Sequence, residues 1–150
     1  MATAPKLKVE IITAERIVYS AEQVDEVIVP GAEGELAILP RHAALISGLG
    51  TGELVVMKGN DEEHIALAGG FMEVLNNTVT ILSDVAEREE EIDLAAAQAA
   101  RDKAREALET ASAEDYSGLQ AALAASLARL RVAERRRRRG GRGGVPGANR

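Results

Sequence analysis

Over its first 86 residues the chain alternates apolar and polar side chains in short runs. In LKVEIIT, Leu7, Val9 and Ile11 fall on one side of an extended chain and Lys8, Glu10 and Ile12 on the other. That period of two is the mark of a strand with one buried face. RIVYS, VDEVIVP, GELAILP, ELVVMK, HIALAG and TVTILSD repeat the theme with Val, Ile, Leu and Thr, side chains that suit a pleated, half-buried surface. Gly, Asn and Asp punctuate the runs: GND at 59–61, GG at 69–70 and NN at 76–77. Asn76-Asn77 between EVL and TVTIL reads as a tight hairpin, because Asn tolerates positive φ. Many short strands with turns between them predict a β-sandwich or flattened barrel.

At Glu87 the period changes. The stretch from Glu87 to Arg139 is alanine-rich, free of proline and dominated by the strongest helix formers. Asp93 or a neighbouring acid is placed to cap a first helix, whose N-terminal dipole the acidic cluster Glu87–Asp93 suits. TASAEDYSG predicts a turn, and beyond it Leu119, Leu123, Leu127 and Leu130 form one stripe on a second helix. The pattern therefore predicts a sandwich over 1–86, a helical hairpin over 87–139 and a disordered Gly/Arg tail over 140–150. The hairpin has few large apolar anchors, so its docking is expected to be weak. Alanine-rich helices of about 20 residues keep some helicity undocked, which leaves two readings open: a hairpin that leaves the sandwich without melting, or one permanently packed on it.

Composition and charge narrow the chemistry. Cysteine is absent, which excludes disulfides, thiolate zinc sites and thiol catalysis. Aromatics are 2% of residues, too few for a base-stacking nucleic-acid platform. The net charge of −6 hides an asymmetry: residues 1–86 sum to −8, residues 87–134 to −5 and residues 135–150 to +7. An acidic body makes nucleic acid a poor partner for it. The start, MATAPKLKVE, lacks a charged segment followed by a long apolar run, so no secretory leader is expected. Nor does an apolar stretch long enough to span a bilayer occur.

Candidate sites are few. His42 and His64 stand far apart, without a nucleophile signature such as G-x-S-x-G around Ser20, Ser47 or Ser83, so a structural role is expected for both. Their separation also makes no metal-ligand spacing, and neither metal nor cofactor is expected. PGAEGELAILPRHAAL, from Pro30 to Leu45, carries Gly31 and Gly34 but fits neither phosphate-loop pattern. The tail RRRRRGGRGGVPGANR, from Arg135, admits three readings: arginines complementing a helix C-terminus before glycine stops it, attraction to an acidic partner, or single-stranded nucleic acid.

Several long stretches together, LKVEIITAERIVYSAEQVDEVIVPGAEGELAILPRHAALISGL, LAGGFMEVLNNTVTILSDVAEREEEID and DYSGLQAALAASLARLRVAERRR, resemble the epsilon subunit of bacterial and chloroplast F-type ATP synthases over residues 6–139. The resemblance implies a ten-stranded β-sandwich followed by an antiparallel helical hairpin. It implies a non-catalytic rotor-stalk subunit that couples proton flow to ATP synthesis. Its partners would be the gamma subunit, the ring of c subunits and, when the helices extend, the alpha/beta catalytic head. Such a subunit is peripheral to the membrane, at the cytoplasmic face of a bacterial cell. By position, Gly31, Gly34, Glu35 and His42 resemble residues at the contact with the ring and gamma. Leu119, Leu123, Leu127, Leu130, Arg129, Arg131 and Arg135 fall on the helix that obstructs ATP hydrolysis when extended. Some members bind ATP through Ile-Asp-x-x-Arg-Ala; here Ile92 and Asp93 remain, but Ala96 stands where the arginine belongs. Arg101 and Arg105, one turn apart, are the substitutes available. The alternative reading is a nucleic-acid-binding protein acting through its Arg/Gly tail.

Overall fold

The structure, a computed structural model, describes residues 3–141, with side chains to Arg139. Eight strands come first: β1 (Leu7–Ile12), β2 (Ile17–Val24), β3 (Glu26–Gly31), β4 (Gly34–Ile38), β5 (Leu45–Lys58), β6 (Asp61–Leu75), β7 (Thr78–Leu82) and β8 (Val85–Arg88). A 3₁₀ turn (Glu89–Glu91) leads into α1 (Leu94–Glu109) and α2 (Ala113–Gly141).

The expected ten strands are eight because two of them are long. β5 has 14 residues and β6 has 15, and the two pair with each other along nearly their whole length. One half of each belongs to a layer with β7, β1 and β2; the other half belongs to a layer with β3, β4 and β8. Counted per layer, each long strand contributes twice.

Gly69-Gly70 is the hinge of that crossing, not a turn between strands. Both residues take positive φ, 74° and 128°, within β6. A Cβ on Gly70 would lie 2.1 Å from the carbonyl oxygen of Leu82, so only glycine passes there.

The alternation seen in the sequence fills the space between the layers. Leu7, Val9 and Ile11 are at most 1% exposed and pack with Val27, Val29, Leu54, Val56, Ile65, Leu67, Val79 and Ile81. β1 and β7 pair in parallel, which joins the two ends of the strand region. Asn76 and Asn77 form the β6–β7 turn, both with positive φ, as expected for a tight hairpin.

The helices fold back onto the strands. Asp93 caps α1, its carboxylate accepting from Ala96 N at 3.1 Å. The turn between helices is shorter than TASAEDYSG suggested. Ser112 Oγ accepts from Asp115 N at 3.3 Å, so α2 already starts at Ala113. The helix also runs on through Gly140 and Gly141; the rest of the expected tail lies outside the described residues. α1 packs on α2, and α2 lies across β5 and β6. Beneath it Ala66, Ile92, Ala97, Leu130, Val132 and Ala133 form a second small core, separate from that of the sandwich.

Candidate functional site

Three features of the surface are candidates for function: a cleft at the β3–β4 hairpin, an apolar row on the outer sheet face, and the seam under α2.

Gly31, Gly34 and Glu35 meet at the tip of the β3–β4 hairpin, where Gly31 pairs with Gly34 and Pro30 with Glu35. Gly34 takes a φ of 136°, but Gly31 is glycine for another reason: a Cβ on it would sit 2.4 Å from the Gly34 carbonyl oxygen. These residues line a cleft of ≈ 510 Å³ whose far wall is Arg131 and Arg135 of α2. The sequence set those arginines and the loop in different roles; the fold makes them neighbours. His42 is not part of the cleft. It lies in the exposed loop 39–44, its Nδ1 2.7 Å from the Ala43 carbonyl oxygen. That loop is held instead by Arg41 N, which donates to Asn77 Oδ1 at 2.6 Å.

A row of exposed apolar side chains crosses the outer face of the β2-β1-β7 layer. Register pairs Ile17 with Ile12, Ile12 with Leu82, Leu82 with Phe71 and Phe71 with Gly48. Phe71 is 64% exposed, Ile17 61% and Leu82 54%. Single exposed apolar residues are ordinary, but a contiguous row on one face is a candidate contact surface. Sequence reasoning missed it, although the signal was present: in GGFMEVL, Met72 and Val74 point inward, which throws Phe71 out of phase.

Under α2 the leucine stripe divides. Leu130 is buried at 8% exposure, Leu119 and Leu123 are half-buried, and Leu127 is 41% exposed. Val132, Ala128 and Ser126 are buried as well, because a helix wedged between α1 and a sheet hides more than one stripe. Arginines complete the seam. Arg129 Nε donates to Glu87 Oε2 at 2.6 Å, Arg135 reaches Glu53 at 3.3 Å, and Arg139 reaches Glu89 at 3.4 Å. Arg136 and Arg139 also donate to the carbonyl oxygens of Glu89 and Glu62. The nucleic-acid alternative finds no support, since arginines it would use are turned onto the chain's own acids.

At the Ile92–Asp93 pair both side chains have structural partners. Ile92 is 3% exposed within the small core, and the Asp93 carboxylate is engaged as the α1 cap. Arg101 Nε donates to Asp102 at 2.9 Å, and Arg105 is exposed.

Just before this pair the chain is tied to the sandwich. Arg16 donates to Glu91 at 2.8 Å, and that hydrogen bond and charge hold the Glu91 carboxyl below the usual carboxylate range. Arg88 pairs with Glu63 at 2.7 Å and Glu90 at 2.8 Å, its guanidinium over the Tyr19 ring at 5.8 Å. Burial pushes the Tyr19 hydroxyl up. Among the described residues no group of three or more His, Asp or Glu could hold a metal ion, and no helix is long and apolar enough to cross a membrane.

Comparison with known proteins places both halves. Residues 6–89 match the family described as ATP synthase, Delta/Epsilon chain, beta-sandwich domain, and residues 90–134 match the long alpha-helix domain of the same chain. The chain is 45% identical over 139 residues to the ATP synthase epsilon chain of Dehalococcoides mccartyi, covering 89% of this chain and 96% of that one. It is 47% identical over 134 residues to the ATP synthase epsilon chain of Herpetosiphon aurantiacus, covering 89% and 98%. In fold it is similar to a chain in the cryo-EM structure of Euglena gracilis mitochondrial ATP synthase, with a TM-score of 0.76 at 21% identity over 89% of this chain and 84% of that one.

Proposed function

The chain belongs to the delta/epsilon chain family of ATP synthase, and from that premise we propose how its surfaces divide the work of a central-stalk subunit. It is an epsilon chain, non-catalytic, serving ATP synthesis within a proton-translocating F-type enzyme. The sandwich is the gripping part. The row Ile12, Ile17, Phe71 and Leu82 docks on the gamma subunit, and the β3–β4 tip with Gly31, Gly34 and Glu35, together with His42, faces the c-subunit ring. The chain thus works peripherally to the membrane, at the cytoplasmic face of a bacterial cell.

The hairpin is the moving part. Residues 85–91 are tied to the sandwich through Arg16 and Arg88, so a swing takes place about Ile92 and Asp93. In the folded position Arg129 and Arg135 are engaged by Glu87 and Glu53 and Leu130 is buried; extended toward the alpha/beta head, they obstruct hydrolysis. Such motion is feasible because the hairpin rests on its own small core, leaving the sandwich core intact when it departs.

The single observation that carries the gripping role is the apolar row, in a chain whose two halves match the two family domains in order. Capture of the gamma subunit by the full chain tests it. Wild type should retain gamma, and Phe71→Glu should lose most of it, because a charge placed at the centre of a desolvated contact goes unpaired. Undiminished capture by Phe71→Glu would move the contact elsewhere.

A further inference from the structure

A sheet face covered by a helix is ordinarily apolar. Under α2, β5 and β6 instead present Glu53, Glu62 and His64. His64 is 3% exposed, with Nδ1 2.5 Å from Glu53 Oε1 and Nε2 3.1 Å from Glu62 Oε2. The Glu53 side chain is 7% exposed, and its Oε1 is also the oxygen that Arg135 Nε reaches at 3.3 Å. Its other oxygen, Oε2, is buried and has no hydrogen-bond partner among the described residues. One carboxylate oxygen thus faces both His64 and Arg135, from different elements, while its twin has no hydrogen-bond partner among the described residues.

We propose that His64 and the arginine end of α2 compete for Glu53, so that a proton on His64 loosens the hairpin's hold on the sandwich. This rests on the reading of the hairpin as the moving part.

The charges set the sign. A neutral ring donates from Nδ1 to Glu53 without adding charge, and leaves two carboxylates beneath α2 to attract Arg135 and Arg139. Nε2 then faces Glu62, whose side chain is 49% exposed and able to turn to water. A protonated ring instead places a positive charge on the oxygen Arg135 uses, which weakens that pair and repels both arginines.

Glu89, which Arg139 reaches at 3.4 Å from the 3₁₀ turn, and the Arg129–Glu87 pair also lie on this seam and strengthen docking in either state, while Arg131, beside Glu53 in the cleft, and Arg136 add to the positive charge that α2 brings. Glu53 and Glu62 stand beside the ring with or without α2, so what docking adds is the proximity of Arg135 and Arg139, which opposes the protonated form. By linkage, release of α2 takes up a proton.

The chain has no cysteine of its own, so spin labels at Lys58→Cys on β5 and Glu134→Cys on α2 report the docked fraction of the full chain. From pH 8 to pH 5.5 at low salt, the docking constant should fall about fivefold, the upper end of a part-exposed charge coupling. His64→Gln should remove that dependence. A second measurement covers a variant that folds poorly: with only His42 and His64 to resolve, the ring resonances give the His64 titration directly. In the doubly substituted Arg135→Gln, Arg139→Gln chain, His64 should hold its proton to higher pH.

Docking that ignores pH, a His64→Gln chain that keeps the dependence, or a titration unmoved by loss of the arginines would each overturn the proposal. Gamma capture needs only the sandwich face, so its outcome separates failure of this coupling from failure of the family reading.

Discussion

Replacing Leu130 by Ala tests whether the hairpin and the sandwich are held by separate cores. Leu130 sits at the edge of the small core, 8% exposed, among Ala66, Ile92, Ala97, Val132 and Ala133. Buried Leu→Ala changes cost about 2–5 kcal/mol, and an edge site beside alanines belongs at the low end, about 2–3 kcal/mol. At about 1.4 kcal/mol per factor of ten, the docking equilibrium should move roughly 30- to 150-fold toward release. None of that loss reaches the sandwich, whose core of Leu7, Val9, Ile11 and their neighbours does not include Leu130. Label distances between α2 and β5 should lengthen, helical circular dichroism should largely persist, and the unfolding free energy of the strands should move by less than about 0.5 kcal/mol. A single transition in which strands and helices lose stability together would refute the separation, and with it a hairpin free to swing.

Two glycines should respond in opposite directions. Gly70→Ala drives a Cβ into the Leu82 carbonyl at a φ of 128° and should cost about 3 kcal/mol or more by denaturant unfolding. Gly118→Ala in α2 meets open space and should add about 0.5–1 kcal/mol to hairpin helicity in a thermal melt. Acid should weaken the tie before the hinge. The Glu91 carboxyl is lower folded than its ordinary 4.5, so its stabilisation is whole above that value and is lost as pH falls through the depressed folded one. Arg16→Gln should flatten that part of an unfolding profile taken downward from pH 6. ATP should bind the isolated chain weakly or not at all, since Ala96 replaces the arginine and Asp93 is engaged as a cap; micromolar affinity by calorimetry would contradict this.

The strands were legible because one buried face imposes a period of two, and β1 shows it residue by residue. Asn76-Asn77 and the Asp93 cap were legible because each is a local backbone demand met by a particular side chain. The long strands were not, since Gly69-Gly70 looks like a turn until β5 is seen to pair with β6 on both sides of it. Nor was β8, a short edge strand paired only with β6 and sitting across the expected boundary at Glu87. The leucine stripe was half legible. Spacing finds one face of a helix, but α2 is covered on more than one side, and Leu127 falls outside both. Least legible was the Glu53–His64–Arg135 cluster, assembled from three elements with no local signature. Charge totals hinted at it only as an acidic body and a basic end.

ATP hydrolysis by the assembled enzyme, compared for the full chain and for a chain stopped after Glu91, tests the division of labour most directly. Stopping there keeps β8 and its Arg16–Glu91 tie while removing both helices. Hydrolysis should rise with the shortened chain still bound to the complex. Unchanged hydrolysis, or loss of the shortened chain from the complex, would contradict a gripping sandwich joined to a braking hairpin.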